Sequence, residues 1–272
     1  MYLKTTNCKY WVETFGEQRG IPIVFLHGFT GTNKTWEQII AMLARSHWCV
    51  SLDLPGHGKS KMHQPMRMEM FCDDLGCVLD QLQIDQVHLV GYSMGGRAAL
   101  SFTILHPSRV RTLTLESASP GLDSPDEQLA RQTKDEALAE RVETEGVVSF
   151  VDYWEDLPLF SSQKKLTTTV RDRIRNERLS QSASGLAASL RGMGTGVQPS
   201  WWDKLATVAK PILLIVGELD EKFVILANEM KQQCQHAELA MVSNAGHAVH
   251  VEQREKFDTI VNDFIIRMEE QE

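Results

Sequence analysis

From residue 21 onward short apolar runs alternate with segments of helical periodicity, and this alternation restricts the fold more than any other feature. "IPIVFLHG", "HWCVSLDLPGHGKS", "QVHLVGYS" and "VRTLTLES" are runs of strand length, rich in branched residues, that close on Gly, Pro or Ser. Between them lie "TWEQIIAMLA", "MEMFCDDLGCVLDQLQ" and "MGGRAALSFTILHP", with apolar positions three and four apart and the last stopped by Pro107. Strands and helices alternating at this pace need crossover connections, so the expected fold class is α/β with a largely parallel sheet. Residues 1–15 alternate polar and apolar positions and predict one or two strands of a hairpin.

From about Pro120 to Leu205 the strand signal stops. Charged helical stretches replace it: "SPDEQLARQTKDEALAERVETEG", "VVSFVDYWEDL", "QKKLTTTVRDRIRNERLSQ" and "SASGLAASLRGM", with Pro125 opening an acidic first turn. After "GTGVQPSWWD" the earlier rhythm returns with "PILLIVGELD", "KFVILANEMKQQC", "AELAMVSNAGH" and a terminal helix from Arg254. The expected organisation is a core of residues 1–119 and 206–272, with a helical cap at 120–205 lying over the strand ends.

Composition narrows the setting. A formal net charge of −8 argues against general affinity for nucleic acid or an anionic membrane surface. The five cysteines are scattered and odd in number, which fits a reducing cytoplasm better than a disulfide framework. The first residues contain no continuous apolar h-region, and no apolar run approaches membrane-spanning length. The expectation is a cytoplasmic protein without metal or organic cofactor, because no ligand cluster, dinucleotide fingerprint or phosphate loop is present. "DLPGHGKS" lacks the spacing of a phosphate loop and reads as a turn bracing the sheet.

Gly91-Tyr92-Ser93-Met94-Gly95 matches G-x-S-x-G with a strand before it and a helix after it. Small residues two positions either side of the serine are needed where a strained turn brings backbone close to its neighbours. Ser93 then stands at a helix N-terminus, where the dipole favours negative charge. Its partners should follow in the order acid, then histidine, each just after a strand, which selects Asp220 in "GELD" and His247 in "NAGH". Glu116 is the rival acid, while His27, His57 and His250 are rival histidines. In "FLHGF" the turn at His27-Gly28 lets the N–H of Phe29 face the site; with the N–H of Met94 it would form an oxyanion hole. Arg97 lies four residues beyond Ser93 on the same helix face, where a cation can hold a carboxylate.

Together, "FLHGF", "GYSMGG", "GELD" and "NAGH" resemble the α/β-hydrolase fold family over essentially the whole chain. Within it, "ESASPGL", "DYWEDLPLF", "RNERLSQSASGLAASLRGMGTGVQPSW" and "NAGHAVHVEQ" are similar to the 2-succinyl-6-hydroxy-2,4-cyclohexadiene-1-carboxylate synthases of menaquinone biosynthesis. That resemblance implies a triad of Ser93, Asp220 and His247. It also implies a site for a polycarboxylate small molecule formed by Arg97, Tyr92, Arg131, Arg178 and Trp154, with Arg141 close to the segment that carries Arg131. The implied reaction is elimination of pyruvate, with Ser93 acting as a base. Two other uses of the constellation remain open: a carboxylesterase or carbon–carbon bond hydrolase with Ser93 as nucleophile, and a non-catalytic ligand receptor.

Overall fold

The computed structural model describes residues 1–271. The strands are β1 (Tyr2–Lys4), β2 (Cys8–Phe15), β3 (Ile23–Leu26), β4 (Cys49–Leu52), β5 (Lys61–Met62), β6 (Val87–Tyr92), β7 (Val110–Glu116), β8 (Ile212–Gly217) and β9 (Ala237–Val242). The α-helices are α1 (Glu37–Leu43), α2 (Met68–Gln81), α3 (Met94–Leu105), α4 (Pro125–Glu155), α5 (Thr168–Leu179), α6 (Ala183–Met193), α7 (Glu221–Gln233), α8 (Val249–Glu252) and α9 (Arg254–Glu269). The sheet runs in the order β1-β2-β4-β3-β6-β7-β8-β9, with β5 pairing β2 from outside that path. From β4 to β9 all neighbours are parallel, whereas β2 pairs antiparallel with β1, β4 and β5. The expected N-terminal hairpin therefore caps one edge of a parallel sheet.

The central strands read as unbroken apolar runs because both faces of the sheet are covered. Along β8, Ile212, Leu214 and Val216 pack on the face that carries α2, α3 and α7. Leu213 and Ile215 point to the opposite face, against Ile39 and Ile40 of α1 and Phe257, Val261 and Phe264 of α9. This is the period-two alternation of a strand serving two cores at once. β3 divides in the same way, with Val24 and Leu26 on one side and Ile23 and Phe25 on the other.

Helices α4, α5 and α6 all fall between β7 and β8 and stack over the C-terminal ends of the strands. Their own small core joins Ala139, Val142, Phe150 and Val151 of α4 to Leu186, Ala187 and Leu190 of α6, with Phe29 of the loop after β3 packed against it. The two stretches expected as separate helices are two helical segments of α4 that meet at Gly146, whose φ of 82° and ψ of 169° lie outside the helical region and break the run there. A polar latch ties the cap down. Glu177 Oε1 accepts from the Thr32 N–H at 2.7 Å and from the Thr35 hydroxyl at 2.6 Å. Gln181 bridges the Gly58 N–H (3.0 Å) and the Gly31 carbonyl (2.9 Å). Among the described residues no helix is long and apolar enough to cross a membrane.

One packed carboxylate opposes stability. Asp258 on α9 is buried, its Oδ1 finds no hydrogen-bond partner among the described residues, and burial pushes its pKa up to about 6. A raised carboxyl pKa means that folding disfavours the charged form, so this cost develops as pH rises from about 4 through 6 and persists above. Asp258→Asn is therefore expected to stabilise by about 1 kcal/mol at pH 7.5, a few degrees in Tm, and to change little at pH 4. Thermal unfolding at the two pH values checks this, and equal shifts at both would contradict it.

Candidate active site

Sheet order reverses direction around β3, with β4 on one side and β6 on the other, and crevices at the strand ends near such a reversal are where open α/β sheets place ligands. Here β6 ends at Tyr92, α3 begins at Met94, and Ser93 is the single residue between them. Ser93 takes φ 51° and ψ −108°, a sparsely populated conformation for a residue with a side chain, which costs on the order of 1–3 kcal/mol. The two flanking glycines explain how the turn is accommodated. A Cβ on Gly91 would lie 2.4 Å from the Gly95 carbonyl oxygen, and one on Gly95 would lie 2.2 Å from that of Leu26. The Ser93 N–H is held by the Glu116 carbonyl at 2.8 Å, so the neighbouring strand fixes the strained turn.

Asp220 follows β8 at the N-cap of α7, and His247 follows β9 in the turn before α8. The His247 Nδ1–H donates to Asp220 Oδ2 at 2.6 Å, and His247 Nε2 lies 3.1 Å from Ser93 Oγ. With its Nδ1 proton committed to a carboxylate, the ring presents its Nε2 lone pair to the serine hydroxyl. His247 is 2% exposed and Asp220 8%, so their interaction is little screened by water. This is the arrangement of a base relay: serine hydroxyl, imidazole, buried orienting carboxylate.

The rival residues are committed elsewhere. Glu116, fully buried at the end of β7, accepts from His250 Nδ1 at 2.8 Å and from the His250 backbone N–H at 3.0 Å. The His27 Nδ1–H donates to the Gly28 carbonyl and its Nε2 accepts from the Leu54 N–H at 2.9 Å; burial lowers its pKa to about 4. His57 similarly bridges the Pro55 carbonyl and the Thr30 N–H, and burial, with His27 adding to it, lowers its pKa to about 3. Both therefore stay neutral and pin the loops after β3 and β4. The "DLPGHGKS" turn is a brace: Asp53 accepts from the Asn33 and Lys59 N–H groups, each at 2.7 Å.

Ser93 and His247 open into a cavity of about 500 Å³ between the strand ends and the cap. Phe29 and Met94 line it beside Ser93, and the Met94 N–H, at the first turn of α3, lacks an intrahelical acceptor. One wall is aromatic: Trp154 stacks on Phe150 at 5.6 Å between ring centroids and meets Phe29 edge-on at 5.3 Å. Tyr92 closes the floor against His247, with ring centroids 5.4 Å apart. The far wall carries two guanidiniums, and the carboxylates of Asp123 and Glu127 also lie on the cavity lining. Arg97, 8% exposed, reaches the cavity while its Nη1 donates to the Met193 carbonyl at 3.0 Å and, through a shorter contact, to Gln198 Oε1. Arg131 joins it, its Nε donating to Asp135 Oδ1 at 2.8 Å. Burial first, and then the like charge of Arg131, pulls the Arg97 pKa down to about 9, with Asp135 opposing. A cation held under those conditions gains most from an incoming anion.

Not every residue named from the sequence reaches this cavity. Arg178 is buried on α5 but lines a smaller neighbouring cavity with Gln163 and Glu177, on the other side of Tyr92 and Phe160. Its guanidinium lies 4.8 Å from the Phe160 ring centroid, 3.2 Å from Gln163 Oε1 and 3.6 Å from Glu155. Those three contacts hold it behind the aromatic wall. Arg141 is further away still, paired with Glu145 on the outer face of α4. Conversely, Lys222 lines the cavity without having been singled out. Its signal is position alone, two residues past Asp220 in the first turn of α7.

A family model described as the alpha/beta hydrolase fold matches residues 21–253. The chain is 41% identical to a Bacillus subtilis (strain 168) protein to which 2-succinyl-6-hydroxy-2,4-cyclohexadiene-1-carboxylate synthase activity is ascribed, over 94% of each chain. It is 32% identical to the 2-succinyl-6-hydroxy-2,4-cyclohexadiene-1-carboxylate synthase of Enterobacter sp. (strain 638), over 86% of this chain and 87% of that one. Among solved structures, MenH from S. aureus superposes with a TM-score of 0.90 at 35% identity, covering 97% of this chain and 100% of that one. A thermophilic esterase from Thermogutta terrifontis, solved with malate bound, gives 0.86 at 25% identity over 98% and 99% of the two chains.

Proposed function

The chain belongs to the alpha/beta-hydrolase family, and from that premise we propose how its site performs the reaction named for its relatives. It is a carbon–oxygen lyase of menaquinone biosynthesis: it eliminates pyruvate from 2-succinyl-5-enolpyruvyl-6-hydroxy-3-cyclohexene-1-carboxylate and leaves 2-succinyl-6-hydroxy-2,4-cyclohexadiene-1-carboxylate. In the proposed mechanism His247 Nε2, oriented by Asp220, takes the Ser93 proton as Ser93 Oγ takes the ring hydrogen beside the succinyl ketone. The electron pair of that C–H bond forms an enolate whose oxygen faces the N–H groups of Phe29 and Met94. The enolate then collapses through the ring alkene, the ring carbon–oxygen bond breaks, and the three-carbon fragment leaves as the enolate of pyruvate. A proton from His247 completes the balance, and Ser93 is never acylated.

The observation that carries this reading is the placement of two guanidiniums, Arg97 and Arg131, in the same cavity as the serine–histidine pair. A simple ester needs neither of them. A substrate with carboxylates on ring, succinyl chain and enolpyruvyl ether needs several cations, and Lys222 at the rim supplies a third. Trp154 and Tyr92 are proposed to pack against the ring. Arg178 is assigned the support of the Tyr92–Phe160 wall rather than direct contact, given its place behind that wall. Incubation with the enolpyruvyl substrate is expected to release pyruvate and conjugated diene in equal amounts. Saturating turnover of short esters together with no pyruvate from that substrate would favour the esterase reading instead.

A further inference from the structure

The two cavity arginines are mounted in different ways. Arg131 is held by a carboxylate: Asp135 is 2% exposed and sits one helical turn along α4, so Arg131 already has an anionic partner where it stands. Arg97 is held by neutral acceptors, the Met193 carbonyl and the side-chain oxygen of Gln198, and both restraints use the same nitrogen, Nη1. Gln198 is itself only 2% exposed and belongs to the "GTGVQPSW" segment that leads back from the cap to the sheet. Its N–H bonds the Gly194 carbonyl at 3.2 Å, which ties the turn to the end of α6. Its side-chain Nε2 lies against Gly121, where a Cβ would come within 2.9 Å, and has no partner among the described residues. Gly121 in turn forms part of the cavity wall. The amide is thus wedged between that wall and Arg97, with little room to rotate away.

We propose that Gln198 is the positioning residue of Arg97, an acceptor that fixes the guanidinium toward the cavity without cancelling its charge, and thereby sets the site's selectivity for carboxylate-bearing substrates. A carboxylate at this position would hold Arg97 equally well in geometry and would satisfy it in advance. The uncharged amide leaves an oriented cation whose counter-ion is the substrate. Retaining a buried donor with no partner is consistent with this, since a glutamate of the same shape would remove that unpaired N–H and pair the cation as well. The inference rests on the reading of Arg97 as a carboxylate anchor.

Gln198→Glu tests it directly, because stability and binding should move in opposite directions. The variant is expected to unfold at or above the wild-type temperature, to show a KM for the enolpyruvyl substrate raised by about 100-fold with a smaller change in kcat, and to bind succinate, used as a simple dicarboxylate inhibitor, correspondingly more weakly. Acylation of Ser93 by a neutral activated ester should proceed at the wild-type rate. Gln198→Met removes the acceptor without adding charge and should raise KM by only about 10-fold; it carries the test if the glutamate variant does not fold. An unchanged KM and succinate affinity in Gln198→Glu, or a loss that follows a fall in Tm and reaches the neutral ester equally, would overturn the proposal. Arg97→Ala separates the two layers. If it too leaves KM unchanged, the anchor reading fails; if it raises KM while both Gln198 variants do not, only the role of Gln198 fails.

Discussion

Ser93→Ala is expected to lower kcat for pyruvate release by about four powers of ten while KM stays within a few-fold. In the proposed mechanism the serine hydroxyl is the group of the relay that meets the substrate carbon, and a positioned general base contributes up to about 10⁴-fold. The proposed carboxylate anchors, Arg97 and Arg131, lie elsewhere on the cavity lining, and the substitution does not touch them. Alanine also relieves no strain, because the turn is fixed by Gly91, Gly95 and the Glu116 carbonyl rather than by the serine side chain. Steady-state assays of pyruvate and diene formation check this. A residual rate within ten-fold of wild type would remove Ser93 from the chemistry.

The second large effect belongs to Arg97→Ala. Leaving a carboxylate of the substrate unpaired in a buried site costs on the order of 3–5 kcal/mol. At about 1.36 kcal/mol per decade, kcat/KM should fall by two to three powers of ten. The fold should survive, because the substitution deletes a buried cation whose hydrogen bonds go to two neutral acceptors, Met193 O and Gln198 Oε1, rather than to a carboxylate. The expected pattern is therefore a large kinetic defect at a Tm close to that of the wild type. Near-normal turnover of the tricarboxylate would contradict the assignment of this wall as the anion site.

The residues that sequence order made legible are those tied to strand ends. An unbroken apolar strand that closes on Gly-x-Ser must turn sharply at the serine, and the Ser93, Asp220 and His247 positions all follow from where β6, β8 and β9 stop. The parallel core was equally visible, because strands buried on both faces leave unbroken apolar runs. The cap was legible as helices but not as a surface. Its charged helices carry little apolar periodicity, so which side chain turns inward depends on packing over the sheet. Arg131 and Arg178 look alike in sequence; one ends in the cavity and the other behind Phe160. Gln198 was invisible for another reason: a glutamine in a turn has no chemistry of its own until the arginine it faces is known. The Glu116–His250 pair, similarly, looks like a second acid and base by spacing and is distinguished only by pointing at each other.

The most direct measurement is single-turnover diene formation with substrate carrying deuterium in place of the ring hydrogen beside the succinyl ketone, read with the intact mass of the enzyme across the same time course. Removal of that hydrogen by Ser93 predicts a slower rate with the deuterated substrate and an enzyme mass that never changes. Equal rates for the two substrates, accompanied by a transient covalent adduct on Ser93, would contradict it.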